Sequence, residues 1–378
     1  MKMSSDIKRV MSRKSPAGIL QIMVKQLMEE EGLWEETLTS DIPTSWEKYG
    51  DLLLFNGEKY FRDDRWKHTP NLWQCICKAL KAKRIGFKHF ISEDSFRSPN
   101  VKLVYGVNSW VEFKDNGVIF TWDVQFNMFC AGNAPERHRI ATFLCEGETV
   151  VDMYAGIGYF TLPYLVKAKA KLVYACEWYP RAVKALKINL SINKVASKCI
   201  VYEGDSRLVC PKGIADRVNL GLLPSSESGW QAACEALNPI SGGVLHIHGN
   251  VTSSIKNKKI INDKFGCKDC VDILCNYDPN EKDLNNNKFC SDVGIQPSFI
   301  FHSKTVIPVT NVSIKWKQME WKLWSLHVCH KLSDIFCSVH EQVWKLQICN
   351  LHHVKSYAPH IDHLVLDVKC TPQEYLVQ

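Results

Sequence analysis

From about residue 148 the chain alternates short apolar runs with helix-like stretches, and few architectures accept that rhythm. "TVVDMYA" reads as a buried strand, and "YFTLPYLVKA" as a helix with Pro163 in its first turns. "LVYACEW" is a second strand. It is followed by "PRAVKALKINLSINK", a helix that Pro180 opens well, because the N–H it lacks is one that no helix start can pair. "CIVYEGD", "RVNLGLLP" and "GGVLHIHG" supply three more strands, with "SGWQAACEALN" as a helix between the last two. Such alternation predicts an α/β fold, a mostly parallel sheet with helices on both faces. Near the end, two alternating runs in "LQICNLHHVKSYAPHIDHLVLDVK" flank Ala358-Pro359-His360, which predicts an antiparallel hairpin closing that sheet.

In an open parallel sheet, ligands bind beyond the carboxyl ends of the strands. The first strand here ends in "DMYAGIG", where Gly156 and Gly158 let the backbone approach a ligand with no Cβ in the way. The spacing is not G-x-G-x-x-G and no P-loop lysine follows, so a pyrophosphate is disfavoured and a smaller, less anionic nucleoside ligand is expected. The second strand ends in Glu177, whose carboxylate has acceptor sites for both hydroxyls of a ribose. The third ends in "EGDS", placing Asp205 where it can read an adenine amino group or another donor. Any one of Asp152, Glu177 and Asp205 has an ordinary explanation as a solvated strand terminus or a helix N-cap. Three of them, ending three successive strands around a glycine turn, point to a ligand site.

With 378 residues, 46% of them apolar and 23% charged, the chain has room for two domains and the composition of a globular protein. Its longest apolar runs are strand-sized, short of the ~20 residues that a bilayer crossing needs. No secretory signal is evident. The basic, Ser-containing start has some look of a transit peptide, against which Glu29, Glu30 and Glu31 argue, so a cytoplasmic address is expected. The 16 cysteines are scattered and read as reduced thiols. "GCKDC" (Cys267, Cys270), with Cys275 and Cys290 after it, lacks a second Cys-x-x-Cys, and no metal is expected. A net charge of +7 permits a polyanionic partner without demonstrating one.

Residues 1–36 read as a basic N-terminal segment, an amphipathic helix or a loosely attached tail. Residues 37–126 read as a small α+β domain. "DLLLFNGEKYF" and "PNLWQCICKALKAK" give strand, loop and helix there, with Leu72, Cys75 and Leu80 facing inward. Asn116-Gly117 marks a hairpin between "VEF" and "VIFTW". Residues 127–250 and 301–370 read as the α/β domain that carries the glycine turn, interrupted by a polar, Asn-rich insertion over 251–300.

The strand-end pattern resembles the class I S-adenosylmethionine-dependent transferases. "NMFCAGNAPERHRIA", "DMYAGIGYFTLP", "ACEWYP", "LGLLPSSESGW", "LHIHGNV" and "VKSYAPHIDHLVLDV" together resemble the tRNA wybutosine-synthesizing protein 2 family, relatives of the tRNA guanine-N1 methyltransferases. The likeness covers roughly residues 40–255 and 350–370, and "LGLLPSSE" favours this family over the methyltransferases, which usually carry an "NLP" motif. It implies transfer of the 3-amino-3-carboxypropyl group of S-adenosylmethionine to 4-demethylwyosine at position 37 of phenylalanine tRNA, with the anticodon stem-loop as partner and methylthioadenosine as leaving product. It also implies cofactor contacts from Cys130, Arg137, Glu177, Asp205 and Ser206, beside the Asp152 and Gly156 read from the glycine turn; no catalytic residue is assigned. The chain departs from the family in Cys130 for the usual Ser, Tyr179 for Asn, and Ser206 for Asn. Methyl transfer to guanosine 37, and a weakened RNA-binding copy of the fold, are the alternatives.

His246 and His248 fall on one face of the fifth strand and read as core or strand-end histidines, a base-contacting role being the second choice. Lys and Arg stand among aromatics in "KYFRDDRWKH" and "KALKAKRIGFKHF". That pattern suits either a solvated basic face or salt-sensitive contacts to RNA phosphates.

Overall fold

The computed structural model describes residues 14–90, 99–253, 298–302, 305–308 and 319–373. It divides into two compact units, 1–129 and 130–378. The sequence reading put this boundary three residues earlier. Phe129 explains the difference: its ring stacks on Trp122 at 4.6 Å and meets Phe113 and Phe120 at 5.3 and 5.5 Å, all within the first unit.

In that unit, helix α1 (Pro16–Glu30) starts at Ser15, whose hydroxyl accepts from the Gly18 N–H at 3.2 Å, with Pro16 at the first helical position. The helix was read above within a separate basic segment. Its inward face instead buries Leu20, Val24, Leu27 and Met28 in one core with Leu53, Phe55, Trp66, Leu72, Ile76 and Ile85. Strands β1 (Glu47–Tyr49), β2 (Leu52–Asn56), β3 (Arg84–Lys88) and β4 (Val101–Tyr105) form a four-stranded sheet in that order. Helices α2 (Arg65–His68) and α3 (Leu72–Leu80) lie between β2 and β3 in the chain. Strands β5 (Trp110–Asp115) and β6 (Val118–Asp123) make the expected hairpin, with Asn116 and Gly117 at φ 47° and 77° as its two-residue turn requires.

The second unit carries the alternation. After helix α4 (Ala134–Ile140) come β7 (Thr149–Asp152), α5 (Thr161–Val166), β8 (Leu172–Glu177), α6 (Pro180–Ile192), β9 (Cys199–Glu203), α7 (Ser206–Val209), β10 (Arg217–Leu220), α8 (Trp230–Ala236) and β11 (Gly243–Thr252). Strands β12 (Ser298–His302) and β13 (Thr305–Pro308), helix α9 (Met319–Val339), and strands β14 (Trp344–Ala358) and β15 (Ile361–Pro372) follow. The sheet order is β12-β13-β14-β15-β11-β10-β7-β8-β9. Strands β11, β10, β7, β8 and β9 run parallel to their neighbours in that series, while β15 pairs with β11, and β14 with β15, antiparallel. The hairpin at Pro359-His360 is therefore present but lies inside the sheet, because β12 and β13 continue beyond it. The chain leaves β7 toward β8 and β9 and returns to β10 on the other side, so the strand order switches beside the glycine turn.

Val151, Val218, Leu220, Ile247, Leu366 and Val368 build the core of this sheet with Trp230 of α8 and Val328, Leu332 and Phe336 of α9. The helix α9 was not foreseen; its Phe336 ring stacks on Trp344 at 4.7 Å. Residues 254–297, which hold most of the expected polar insertion and Cys267, Cys270, Cys275 and Cys290, lie outside the described residues. Among those described, no helix is long and apolar enough to cross a membrane.

Opposite this apolar core runs a line of buried charge. Arg139 of α4 donates to Glu136 at 2.7 and 2.8 Å and to both oxygens of Asp367 on β15. Asp367 also meets His246 Nδ1, and His246 Nε2 meets Arg217, which donates to Glu148. His246 is thus a core histidine in a closed polar network. Burying two carboxylates is tolerable only while their cation stays in place. Replacing Arg139 with Met is expected to cost about 3–5 kcal/mol in urea denaturation, while Lys187→Ala, which breaks an exposed pair with Glu203, should change little.

Candidate functional site

The acids at the strand ends divide by what they touch. Asp152 has no exposure, and its oxygens accept from Thr161 Oγ1 at 2.7 Å and Asn219 Nδ2 at 3.0 Å. Expected among the ligand-binding residues, it instead ties the helix after the glycine turn to the neighbouring strand β10, with both oxygens engaged inside the protein. Strand register decides this, since Asn219 stands directly beside Asp152 in the sheet.

Glu177 faces the turn. Its Oε2 accepts the Gly156 N–H at 2.7 Å and its Oε1 the Tyr179 N–H at 2.8 Å. Burial raises its carboxyl above the ordinary range, opposed by the backbone N–H groups of Tyr179, Gly156 and Trp178 that favour the anion. Each oxygen can accept more than one hydrogen bond, so an acceptor position remains on each for a pair of neighbouring hydroxyls. The residue that departs from the family at 179 contributes here through its backbone, which Tyr supplies as well as Asn.

Gly156 (φ 56°) and Gly158 (φ 99°) are in the left-handed region. A Cβ on Gly156 would stand 2.4 Å from the Tyr159 ring, which lies over the turn. Gly156→Ala should therefore force the turn open, with about 1 kcal/mol or more lost in thermal unfolding from the backbone conformation and the clash together.

Asp205 accepts from the Arg207 N–H and side chain at 3.0 Å and caps α7, and Arg207 holds its carboxyl below the ordinary range. A ligand amino group would share it with that guanidinium. Ser206 is buried and, with Ser228, stands near the Tyr154 hydroxyl, whose pKa burial raises. Arg137 is 2% exposed and donates to the Cys130 carbonyl at 3.1 Å. The Cys130 thiol meets the ammonium of Lys355, on β14, at 3.0 Å. Tyr159 links the two sides: Glu177, Cys130 and Arg137 all act on its buried phenol electrostatically. Sequence reasoning named Glu177, Gly156, Cys130, Arg137, Asp205 and Ser206; the structure sets Tyr154, Tyr159, Arg207 and Lys355, which it did not name, beside them. "YAGIGY" offered the tyrosines as a signal; nothing local offered Lys355.

These residues fit a nucleoside with an amino-acid tail. A hydrogen-bonded carboxylate with acceptor capacity faces a turn that has no Cβ at Gly156, and two cations stand on either side of Cys130.

In the N-terminal unit, ion pairs within the chain consume much of the basic face. Arg62 pairs with Asp41, Arg65 with Asp63 and Glu35, Lys67 with Asp64, Arg84 with Asp51, and Lys88 with Glu47. Lys78, Lys81 and Lys83 are exposed. A cleft of about 380 Å³ is lined by Trp46, Lys88, His89 and Phe90 among others.

Residues 111–272 match the family model of the TRM5/TYW2 methyltransferase domain, and residues 24–109 that of the TYW2 N-terminal domain. The Bos taurus tRNA wybutosine-synthesizing protein 2 homolog is 41% identical over 360 residues, spanning 95% of this chain and 78% of that protein. The chain belongs to the tRNA wybutosine-synthesizing protein 2 family. Two solved structures share its fold. P. horikoshii TYW2 in complex with MeSAdo has a TM-score of 0.60 and 22% identity, covering 93% of this chain and 99% of that one. M. jannaschii TYW2 in complex with AdoMet has a TM-score of 0.53 and 23% identity, covering 87% and 100%.

For this member of the tRNA wybutosine-synthesizing protein 2 family, acid should weaken the second unit. His248 and His363 are buried, 3.1 Å apart between Nδ1 and Nε2. Burial holds His363 down to about 4 and His248 well below its ordinary value. Unfolded imidazoles take up protons near pH 6.5 while the folded ones stay neutral, so stability present above that pH is lost as pH falls toward 4. Denaturation at a series of pH values should show a loss of roughly 1 kcal/mol per pH unit per residue in that window, and the slope should flatten in a His248→Gln, His363→Gln variant.

Proposed function

We propose that the chain transfers the 3-amino-3-carboxypropyl group of S-adenosylmethionine to 4-demethylwyosine at position 37 of phenylalanine tRNA, releasing methylthioadenosine. The observation that carries this reading is the Glu177 clamp on the Gly156 turn, in a chain 41% identical to a tRNA wybutosine-synthesizing protein 2 homolog. Bound S-adenosylmethionine supplies a sulfonium with activated neighbouring carbons. The protein's task is to hold it so that one of them faces the nucleophile, a matter of positioning.

Glu177 receives the ribose hydroxyls, Asp205 and Ser206 border the base, and Cys130 and Arg137 border the amino-acid end. Asp152 acts from behind, by fixing Thr161 and so the helix that follows the turn. The N-terminal unit positions the anticodon stem-loop, supported by the exposed Lys78, Lys81 and Lys83 and by the cleft at Trp46 and Phe90, where an unstacked base finds aromatic surface. The cytoplasm is the proposed compartment; all described cysteines are free, in keeping with reducing surroundings.

Isothermal titration with S-adenosylmethionine is expected to show saturable binding that Glu177→Ala weakens by about 1–3 kcal/mol, the range for lost charge-assisted hydrogen bonds. With hypomodified phenylalanine tRNA, the thioether released should be methylthioadenosine. Release of S-adenosylhomocysteine would assign methyl transfer instead. No binding by the folded protein would assign an RNA-binding role without the cofactor.

A further inference from the structure

Lys355 comes to the site from β14, 225 residues along the chain from the cysteine it touches. Its ammonium, with three N–H donors, has Cys130 Sγ at 3.0 Å as its hydrogen-bond acceptor, and among the described residues no carboxylate pairs with it. A thiol is a poor acceptor for a lysine. The side chain passes close to Gly132: a Cβ there would stand 3.0 Å from Lys355 Nζ and 3.1 Å from its Cδ, so an alanine would press on it by a few tenths of an ångström. Across the β14–β15 ladder its direct neighbour is His363, a neutral group. Arg137 reaches the same residue from its other side, donating to the Cys130 carbonyl. Lysine and arginine thus converge on Cys130, and Cys130, Arg137 and Glu177 all act electrostatically on Tyr159, whose ring covers Gly156.

We propose that Lys355 is the anchor for the α-carboxylate of the group being transferred: its ammonium exchanges the Cys130 sulfur for that carboxylate when S-adenosylmethionine binds. The inference rests on the functional reading above and adds to it a residue that positions the 3-amino-3-carboxypropyl chain at its free end. A carboxylate is preferred over an RNA phosphate because Lys355 shares Cys130 with Arg137, and both Cys130 and Arg137 act on Tyr159, the residue that covers the Gly156 turn beside Glu177. Cys130 is then a resting partner for the ammonium, a role in which a thiol or a hydroxyl serves.

Two ligands separate the possibilities, since S-adenosylmethionine carries the carboxylate and methylthioadenosine lacks it. Titrations of wild type, Lys355→Ala, Lys355→Arg and Gly132→Ala with each ligand, and with phenylalanine tRNA, form the test. Lys355→Ala should weaken S-adenosylmethionine by about tenfold or more and leave methylthioadenosine within about twofold. Lys355→Arg should recover part of the loss. Gly132→Ala, which presses on the Lys355 side chain without removing the ammonium, should show the same selectivity in milder form. Equal weakening of both ligands would make Lys355 a structural residue, and loss of tRNA affinity alone would make it a phosphate contact; either overturns the proposal. Wild type that binds neither nucleoside would instead sink the functional reading, and this inference with it.

Discussion

The hydrogen bond from the Gly156 N–H to Glu177 holds the site in shape. It joins the turn after β7 to the end of β8, so two neighbouring strand ends become one rigid feature. Positive φ at Gly156 and Gly158 is what lets the backbone N–H turn toward the carboxylate. The acid, in turn, is held by a second backbone donor at Tyr179. The orientation of Glu177 therefore depends on backbone groups, which explains how the chain carries tyrosine at 179 without losing the arrangement.

Behind that turn the structure places groups that serve the geometry and stay away from solvent. Asp152 fixes Thr161 and Asn219, and the Glu136–Arg139–Asp367–His246–Arg217–Glu148 line connects α4 to β10, β11 and β15. Buried polar links of this kind contribute little net stability compared with apolar packing, yet each fixes a specific register, because a shift of one residue leaves a charge unpaired. Helix α4, which bears Arg137, is aligned with the sheet through Arg139, two residues further along. Positioning of Arg137, at the proposed amino-acid end of the site, is in this sense delegated to the core.

The parallel sheet, the glycine turn and Glu177 were legible because their signals are local: alternation of apolar runs, two glycines, an acid at a strand end. Asp152 was legible as a strand-end acid but not as a buried one, since its partners Thr161 and Asn219 are chosen by strand register. Lys355 was invisible for the same reason at greater range; one lysine in "HHVKSY" looks like any other. The basic stretches of the N-terminal unit left two readings open, because the acids that neutralise part of them, Asp41, Asp51, Glu35 and Glu47, are scattered in the sequence. Helix α1 looked like a separate tail while its apolar face had no visible partner; Ile76 and Leu72 supply one in the fold.

The placement of β14 and β15 between β13 and β11 has a consequence for how the chain is made. The antiparallel hairpin bears Lys355 and Asp367, so the transferase unit lacks the partner of Arg139 and the neighbour of Cys130 until residues 344–372 have left the ribosome. The N-terminal unit, a compact body by itself, can fold during synthesis. The parallel strands β7 to β11 must meanwhile wait with one flank of their sheet unpaired, an interval in which that edge is open to wrong strands.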